Sequence, residues 1–194
     1  MDVYIDFKSP AAYLAVKPTI ELARQYQAAI SWHPIKTRQP RIPAIQANED
    51  RGATHRRVRA IAREKTFLHY ASVQNLDMQF RDDPGSTDVA LAALAGLDGN
   101  AERFVQLACA AYWTTDKDLD SRDVVQSLLR SAGYDLDIMS LEVETMIKDT
   151  EERTGSIGAI DAPAYVVAGE LFIGREHLPW ITELLRADKS IRSR

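Results

Sequence analysis

The first residues of the chain alternate between apolar and polar side chains. Val3, Ile5 and Phe7 are the apolar positions, and this period of two predicts a β-strand with one face more buried than the other. From Ser9 onward the apolar residues follow the spacing of a helix instead. Pro18 lies inside that helical run, and we expect it to kink the helix rather than to end it.

The segment AISWHPIK predicts a second short strand around Ile30 and Trp32. We expect Pro34 to end this strand, because proline has no N–H to donate to a ladder of hydrogen bonds. The chain therefore begins with a strand, a helix and a strand. Such a βαβ unit predicts that the two strands pair in parallel, since their connection crosses over through a helix.

The middle of the chain, residues 44–153, has helical spacing throughout. Asn100 and Ser121 precede apolar helical runs and are predicted N-caps, while Gly133 suits the end of a helix. We therefore predict a helical insertion between two segments that contain strands.

The period changes again in residues 154–194. The segment PAYVVAGELFIG has two short apolar runs around Ala168 and Gly169, which predicts a β-hairpin. The segment EHLPWITELLRADK then predicts an amphipathic helix with its leucine residues facing inward. This ββα segment and the first 43 residues together predict an α/β domain, in which a four- or five-stranded mixed sheet is flanked by helices.

The composition narrows the class of protein. The chain has 194 residues, a net charge of −4 and a pI near 5.6, which argues against general nucleic-acid binding. No stretch approaches the roughly 20 apolar residues that span a bilayer, and the strand-like start differs from a secretion signal. One cysteine excludes an internal disulfide, and the four histidines show no metal-binding spacing. We therefore expect a cytoplasmic protein that binds no nucleic acid, membrane or metal.

The chain resembles the 2-hydroxychromene-2-carboxylate isomerases and the related kappa-class glutathione transferases. The resemblance is carried by DFKSPAAYLA near the start, GAIDAPAYVVAGELFIGREHL near the end, and the helical segments STDVALAALAG and LDSRDVVQSLLRSAG. It spans nearly the whole chain, with residues 36–70 matching poorly. It implies a thioredoxin-like fold with an inserted α-helical domain, divided into residues 1–43, 44–153 and 154–194.

The first of these segments places SPAA, beginning at Ser9, where thioredoxin-like oxidoreductases have a CxxC motif. Dithiol exchange needs a thiolate at this position and is therefore excluded. The resemblance implies that Ser9 is catalytic and that its hydroxyl donates a hydrogen bond to the sulfur of bound glutathione. Lowering a thiol pKa by about two units needs roughly 2.7 kcal/mol, which a charge-assisted hydrogen bond and a helix N-terminus can supply. Capping a helix is the simpler use of a serine here, and the two roles are compatible.

The second segment implies the rest of a glutathione site. A cis peptide bond between Ala162 and Pro163 would face Ser9, and the backbone there would pair with the cysteinyl backbone of glutathione like an added strand. Arg175 and Glu176, at the start of the last helix, would anchor the ends of the tripeptide.

Two positions depart from the family pattern. Asp161 replaces a glycine and would put a negative charge near the sulfur, which opposes thiolate formation. His177 replaces an arginine. Lys8 and Pro10, on either side of Ser9, are assigned to binding the substrate, and the substrate that the resemblance implies is an aromatic carboxylate.

Other side chains allow more than one interpretation. Residues 36–65 are rich in lysine and arginine, including Arg41, and form either a solvated surface or an electropositive rim that steers an anionic substrate. Tyr112 and Trp113 lie either in the core or in an aromatic wall beside the site. Cys109, in the apolar segment LACAAYW, is predicted to be a core residue.

The leading hypothesis is a glutathione-dependent isomerase of the 2-hydroxychromene-2-carboxylate isomerase type. Its mechanism would use the glutathione thiolate as a nucleophile toward a conjugated aromatic carboxylate. The alternatives are a kappa-like glutathione transferase and a thioredoxin-fold binding protein that has lost glutathione. Asp161, His177 and the poor match of residues 36–70 favour the binding protein. The resemblance also implies a homodimer.

Overall fold

The structure is a computed structural model that describes residues 1–39, 42, 50–99 and 101–192, with side chains up to residue 187. Within these residues the chain forms four β-strands, which are β1 (Asp2–Ile5), β2 (Ser31–Pro34), β3 (Ala164–Val167) and β4 (Glu170–Ile173). The same residues form seven α-helices, which are α1 (Pro10–Tyr26), α2 (Arg51–Val73), α3 (Asp88–Gly96), α4 (Glu102–Thr114), α5 (Arg122–Ala132), α6 (Val143–Ser156) and α7 (Leu178–Arg192).

The strands make one mixed sheet in the order β2-β1-β3-β4. β1 pairs in parallel with β2, and Val3 lies opposite Trp32. β3 pairs antiparallel with both β1 and β4. Ala168 (φ 52°) and Gly169 (φ 83°) form the two-residue turn between β3 and β4. The predicted α/β architecture, with a βαβ segment at the start and a ββα segment at the end, is confirmed.

β1 differs from the strand that the alternation predicted. Tyr4 and Asp6 occupy polar positions of the pattern, yet they are buried like the apolar residues between and beside them. The expectation of one more buried face was wrong, because β1 has a strand on each side and side chains on both of its faces are covered.

α1 begins at Pro10 with Ser9 as its N-cap. The Ser9 backbone is extended (φ −80°, ψ 117°), and its Oγ accepts a hydrogen bond from the Ala12 N–H at 3.3 Å. The helix continues through Pro18 to Tyr26. Two predictions are therefore confirmed: Ser9 caps the helix, and Pro18 does not end it.

The middle of the chain contains α2 to α6 but is not helical throughout, as the spacing had predicted. Residues 74–87 form a non-helical connection between α2 and α3. Asn75 leaves the helical conformation with φ 53°, and Pro84 and Gly85 lie further along the connection. Proline and glycine disfavour a helix interior, so this part of the prediction was wrong.

The predicted ends of α5 are confirmed. Ser121 occupies the N-cap position of α5, and Gly133 ends that helix with φ 86°. Asn100, predicted to cap α4, lies outside the described residues.

None of the described helices is long and apolar enough to cross a membrane. The division of the chain at residues 43/44 and 153/154 stays a prediction.

A buried carboxylate joins the sheet to the helical segment. Asp6, directly after β1, has no exposed surface, and its oxygens accept four hydrogen bonds. The donors are the Lys8 N–H, the Thr37 N–H and hydroxyl, and the Thr87 hydroxyl, at 2.8 to 3.2 Å. Burial raises the pKa of Asp6, and Lys8 and Thr37 oppose that rise. Because Thr87 directly precedes α3, Asp6 ties the end of β1 to the start of that helix.

Candidate active site

The N-terminus of α1 meets the residue that precedes the proline before β3. The Ser9 hydroxyl donates a 2.9 Å hydrogen bond to the Ala162 carbonyl oxygen while it accepts the Ala12 N–H. The Ala162–Pro163 peptide bond is cis, as the resemblance implied. Ser9 is 2% exposed and Ala162 is 3% exposed. The two residues therefore face each other in a contact that is closed to solvent.

The Asp161 side chain turns back onto the backbone of the next residue. Its Oδ1 accepts a 2.8 Å hydrogen bond from the Ala162 N–H, and Asp161 itself is exposed. Both polar backbone groups of Ala162 therefore have partners within the chain, Asp161 on the N–H and Ser9 on the carbonyl. The sequence placed a charge near this site but did not indicate that it would bind the Ala162 N–H.

Lys8 and Pro10 line a cavity of about 330 Å³ at the start of α1, which we call the Lys8 cavity. Its other walls come mainly from α2, α4 and the connection between α2 and α3. They include Arg63, Glu64, Phe67, Phe80, Tyr112 and Trp113. The volume lies within the range of small-molecule sites, roughly 300–1,000 Å³.

The Lys8 side chain is only 10% exposed. Its Nζ lies 4.0 Å from Asp6 Oδ2, which is beyond hydrogen-bond distance. Asp6 already accepts four hydrogen bonds from other groups. Among the described residues Asp6 is the charge partner of Lys8, so the donors of the ammonium remain open to an anionic ligand in the cavity.

Trp113 organises the aromatic side of the Lys8 cavity. Its indole N–H donates to the Phe7 carbonyl at 2.9 Å, its ring stacks on Tyr13 at a centroid distance of 5.7 Å, and it meets Phe80 edge-on at 5.4 Å. Tyr112 and Trp113 are buried and also line the cavity. They therefore belong to the core, as one interpretation predicted, and also form an aromatic wall of the Lys8 cavity; that this wall borders the active site stays a prediction.

Arg81 also lines the Lys8 cavity but is held by the fold. Its Nη2 donates to the carbonyl oxygens of Tyr112 and Lys117 at 2.9 and 2.7 Å, and its Nε lies 2.8 Å from Asp116. Its guanidinium also covers the Tyr112 ring at 3.9 Å from the centroid. We therefore regard Arg81 as a structural residue of the cavity wall.

Most of the basic residues of α2 face solvent, and Ala71 is the buried member of this helix among the described residues. Arg63 lines the Lys8 cavity and lies 5.6 Å from the centroid of the Phe67 ring. Glu64 lines the same cavity, and burial raises the pKa of its carboxyl group; no sequence signal pointed to it. Most of the basic residues of α2 therefore form a solvated surface, while Arg63 lies at the Lys8 cavity; that it steers an anionic substrate stays a prediction. Arg41 lies outside the described residues.

Arg175 and Glu176 line a separate cleft of about 860 Å³, which we call the Arg175 cleft. The Arg175 guanidinium lies over the Tyr70 ring, 4.0 Å from its centroid. The Glu176 carboxylate folds over Gly174, which has φ 107°, and a side chain at that position would collide with both carboxylate oxygens. The glycine is therefore needed for the observed placement of Glu176.

The two cavities lie along the same face of α1. Pro10 lines the Lys8 cavity and Lys17 lines the Arg175 cleft, and a separation of seven helical residues corresponds to about 10 Å. α2 contributes side chains to both. Ser9 lines neither cavity among the described residues, although it directly precedes Pro10. The structure thus joins Ser9 to the cis-proline segment and separates the other predicted site residues into two cavities.

The site offers a hydroxyl rather than a thiol. Cys109 is 2% exposed within α4, and burial raises the pKa of its thiol, so the prediction of a core residue is confirmed. In the part of the chain that the structure describes, no three His, Cys, Asp or Glu side chains are grouped to hold a metal ion. Thiol chemistry at Ser9 would therefore require a bound thiol.

Comparison with known families accounts for almost the whole chain. Residues 1–186 match the DSBA-like thioredoxin domain. The chain belongs to the DSBA-like thioredoxin family. The segment SPAA lies at the start of α1, with Ser9 as the N-cap. This is the position at which the sequence was compared with the CxxC motif of thioredoxin-like oxidoreductases.

The chain is also similar to individual known proteins. The 2-hydroxychromene-2-carboxylate isomerase of Sphingobium xenophagum is 25% identical over 195 residues, which cover 95% of this chain and 97% of the relative. A solved structure of 2-hydroxychromene-2-carboxylate isomerase matches with a TM-score of 0.76 at 16% identity, covering 99% of this chain and 97% of that one. The cytosolic disulfide reductase DsbM from Pseudomonas aeruginosa, solved with glutathione, matches with a TM-score of 0.61 at 14% identity over both whole chains. The DSBA-like thioredoxin fold and the resemblance to the isomerases are therefore confirmed.

Proposed function

We propose that this protein is a glutathione-dependent isomerase of the 2-hydroxychromene-2-carboxylate isomerase type. The observation that carries the proposal is the Ser9 hydroxyl, which caps α1 and faces the cis Ala162–Pro163 bond. This position combines a hydrogen-bond donor with the positive end of a helix dipole, and both favour a thiolate. Homology to a protein named as an isomerase supports the reaction class.

The residues present fit an extended tripeptide thiol. Three extended residues span about 11 Å, and the Lys8 cavity and the Arg175 cleft are about 10 Å apart along α1. Arg175 and Glu176 carry charges opposite to those of the carboxylate and ammonium groups at the γ-glutamyl end of glutathione. Ser9 would donate to the sulfur after releasing the Ala162 carbonyl. The disulfide reductase that was solved with glutathione supports this choice of cofactor.

The substrate would occupy the Lys8 cavity. When bound, glutathione would supply a thiolate for reversible addition to a conjugated substrate, which frees a double bond for rotation. The Lys8 ammonium would bind the substrate carboxylate, and because the Lys8 side chain is only 10% exposed this charge pair would be stronger than one in water. Phe80 and Trp113 would pack against the aromatic ring of the substrate, with Pro10 on the side nearest to Ser9.

Isothermal titration calorimetry with glutathione tests the cofactor. We expect the wild-type protein to bind and Ser9→Ala to bind more weakly, while Ser121→Ala, a change at the N-cap of α5, should bind like the wild type. Isomerisation of 2-hydroxychromene-2-carboxylate should require glutathione and should fall in Lys8→Met. Absence of binding at millimolar glutathione would overturn the proposal. Consumption of free glutathione during turnover would indicate a kappa-like transferase instead.

One observation favours a second function, which is ligand binding without glutathione. The Ala162 backbone, where glutathione would dock, is already occupied by Asp161 and Ser9. An aromatic acid would then bind in the Lys8 cavity without any thiol. Titration with benzoate in the presence and absence of glutathione distinguishes the two functions, because only the isomerase needs both ligands to bind together.

We also infer a cytoplasmic location. A glutathione-dependent enzyme suits a reducing compartment, and the disulfide reductase neighbour is named as cytosolic. The homodimer that the resemblance implies stays a prediction, and sedimentation velocity of the purified protein would test it.

A further inference from the structure

Ala162 is the residue through which a peptide ligand would dock, and both of its polar backbone groups already have partners. Its carbonyl accepts the Ser9 hydroxyl at 2.9 Å, and its N–H donates to Asp161 Oδ1 at 2.8 Å. Docking as an added strand needs the N–H to donate to a ligand carbonyl and the carbonyl to accept a ligand N–H. The Ala162 N–H has a single hydrogen, so its hydrogen bond to Asp161 must be broken before a peptide can dock, whereas the carbonyl oxygen has a second lone pair for a ligand N–H.

The two hydrogen bonds differ in what replaces them. The Ser9 hydroxyl can turn toward the sulfur of a bound thiol while a ligand N–H takes its place on the Ala162 carbonyl, so the number of hydrogen bonds is kept. The Asp161 carboxylate has only acceptors, and a ligand carbonyl is also an acceptor. The carboxylate must therefore leave for water, where its charge still repels an anionic tripeptide. The hydrogen bond from Ala162 to Asp161 is the one that opposes docking.

We propose that Asp161 determines the affinity for glutathione, because its carboxylate holds the Ala162 N–H and competes with the backbone of a peptide thiol. This inference rests on the proposed function of the site. Since Asp161 is exposed, its carboxylate is hydrated on release, and the competition amounts to one charge-assisted hydrogen bond rather than the burial of a charge.

Removal of the carboxylate should tighten glutathione binding. For Asp161→Ala we expect a Kd about tenfold lower than that of the wild type. For Asp161→Asn we expect a Kd only about threefold lower, because the amide oxygen still accepts the Ala162 N–H in a weaker neutral hydrogen bond. Asp135→Ala removes another exposed aspartate, in the loop after α5, and is the charge-matched control that should leave the Kd unchanged.

Two measurements separate the hydrogen bond from simple charge repulsion. S-methylglutathione keeps the peptide backbone of glutathione and lacks an ionisable thiol, so the ranking of the Asp161 variants should persist with this ligand in isothermal titration calorimetry. Amide hydrogen exchange at Ala162 reports the hydrogen bond without any ligand. We expect this exchange to be faster in Asp161→Ala than in the wild type and unchanged in Asp135→Ala.

Each result has a defined meaning. Equal glutathione affinity of the wild type and Asp161→Ala, or unchanged exchange at Ala162, would overturn the role of Asp161 and leave the proposed function standing. Equal affinities of the alanine and asparagine variants, or loss of the ranking with S-methylglutathione, would assign the effect to charge and overturn the hydrogen-bond mechanism. No binding of glutathione by any variant at millimolar concentration would overturn both the inference and the proposed function.

Discussion

Replacement of Asp6 by asparagine tests how the buried carboxylate holds the start of the site together. Asp6→Asn keeps the side-chain shape but turns one acceptor oxygen into a donor. Each oxygen of Asp6 accepts one backbone N–H and one hydroxyl, Oδ1 from Lys8 and Thr87 and Oδ2 from both groups of Thr37. A hydroxyl can rotate and accept from the new amide, whereas a backbone N–H cannot. One buried N–H therefore loses its acceptor in either orientation of the asparagine.

That loss sets the expected size of the effect. A buried donor without a partner costs about 1–3 kcal/mol, so Asp6→Asn should lower the free energy of unfolding by about 2 kcal/mol. Asp6→Ala removes the acceptor of both backbone N–H groups and the charge partner of Lys8, which should cost about 4 kcal/mol. Thr87→Val removes one hydroxyl donor and should cost about 1 kcal/mol.

Urea denaturation, followed by circular dichroism and tryptophan fluorescence, measures these differences. We expect the order Thr87→Val, Asp6→Asn, Asp6→Ala from least to most destabilised, with similar m-values. If the stability of Asp6→Asn lay within about 0.5 kcal/mol of the wild type, the reasoning would be refuted, because the orphaned N–H must then find another acceptor.

Two further changes test the assignments at Ser9 and Cys109. Ser9→Ala removes both the cap on Ala12 and the hydrogen bond to Ala162, and should lower the free energy of unfolding by about 1–3 kcal/mol in urea. Ser121→Ala should change it by less than about 0.5 kcal/mol, because the Ser121 side chain makes no capping hydrogen bond within the described residues; equal losses would contradict the assignment. Cys109 should not react with a chromogenic disulfide reagent at neutral pH in the native protein, since it is buried with a raised pKa, and should react fully in urea.

Sequence patterns predicted the structural features that depend on near neighbours in the chain. The cap at Ser9 is completed by the N–H of Ala12, and the hairpin turn needs only Ala168 and Gly169. The burial of Tyr4 could not be predicted in this way, because it depends on the place of β1 inside the sheet. Local spacing describes one strand, whereas burial depends on what packs on each side of it.

The site shows the same limit. The resemblance pointed to Ser9 and Ala162, and the structure contains a hydrogen bond between them. It did not point to Glu64 or Phe67, which lie in the stretch that matches the family poorly, or to Phe80. Glu64 and Phe67, on α2, have the spacing of an ordinary exposed helix. They become cavity residues only because α2 packs along α1 beside Pro10.

Asp161 shows why the presence of a charge does not by itself define its effect. From the sequence, the carboxylate beside the cis-proline argued for repulsion of a thiolate at Ser9. In the structure its short side chain reaches the next N–H, so it acts on the backbone of Ala162. The opposing influence therefore falls on the docking of a peptide and not only on the ionisation of its thiol. In an isomerase that uses glutathione, a ligand carbonyl would replace the Asp161 carboxylate on the Ala162 N–H. In a binding protein that does not use glutathione, the carboxylate would stay in place.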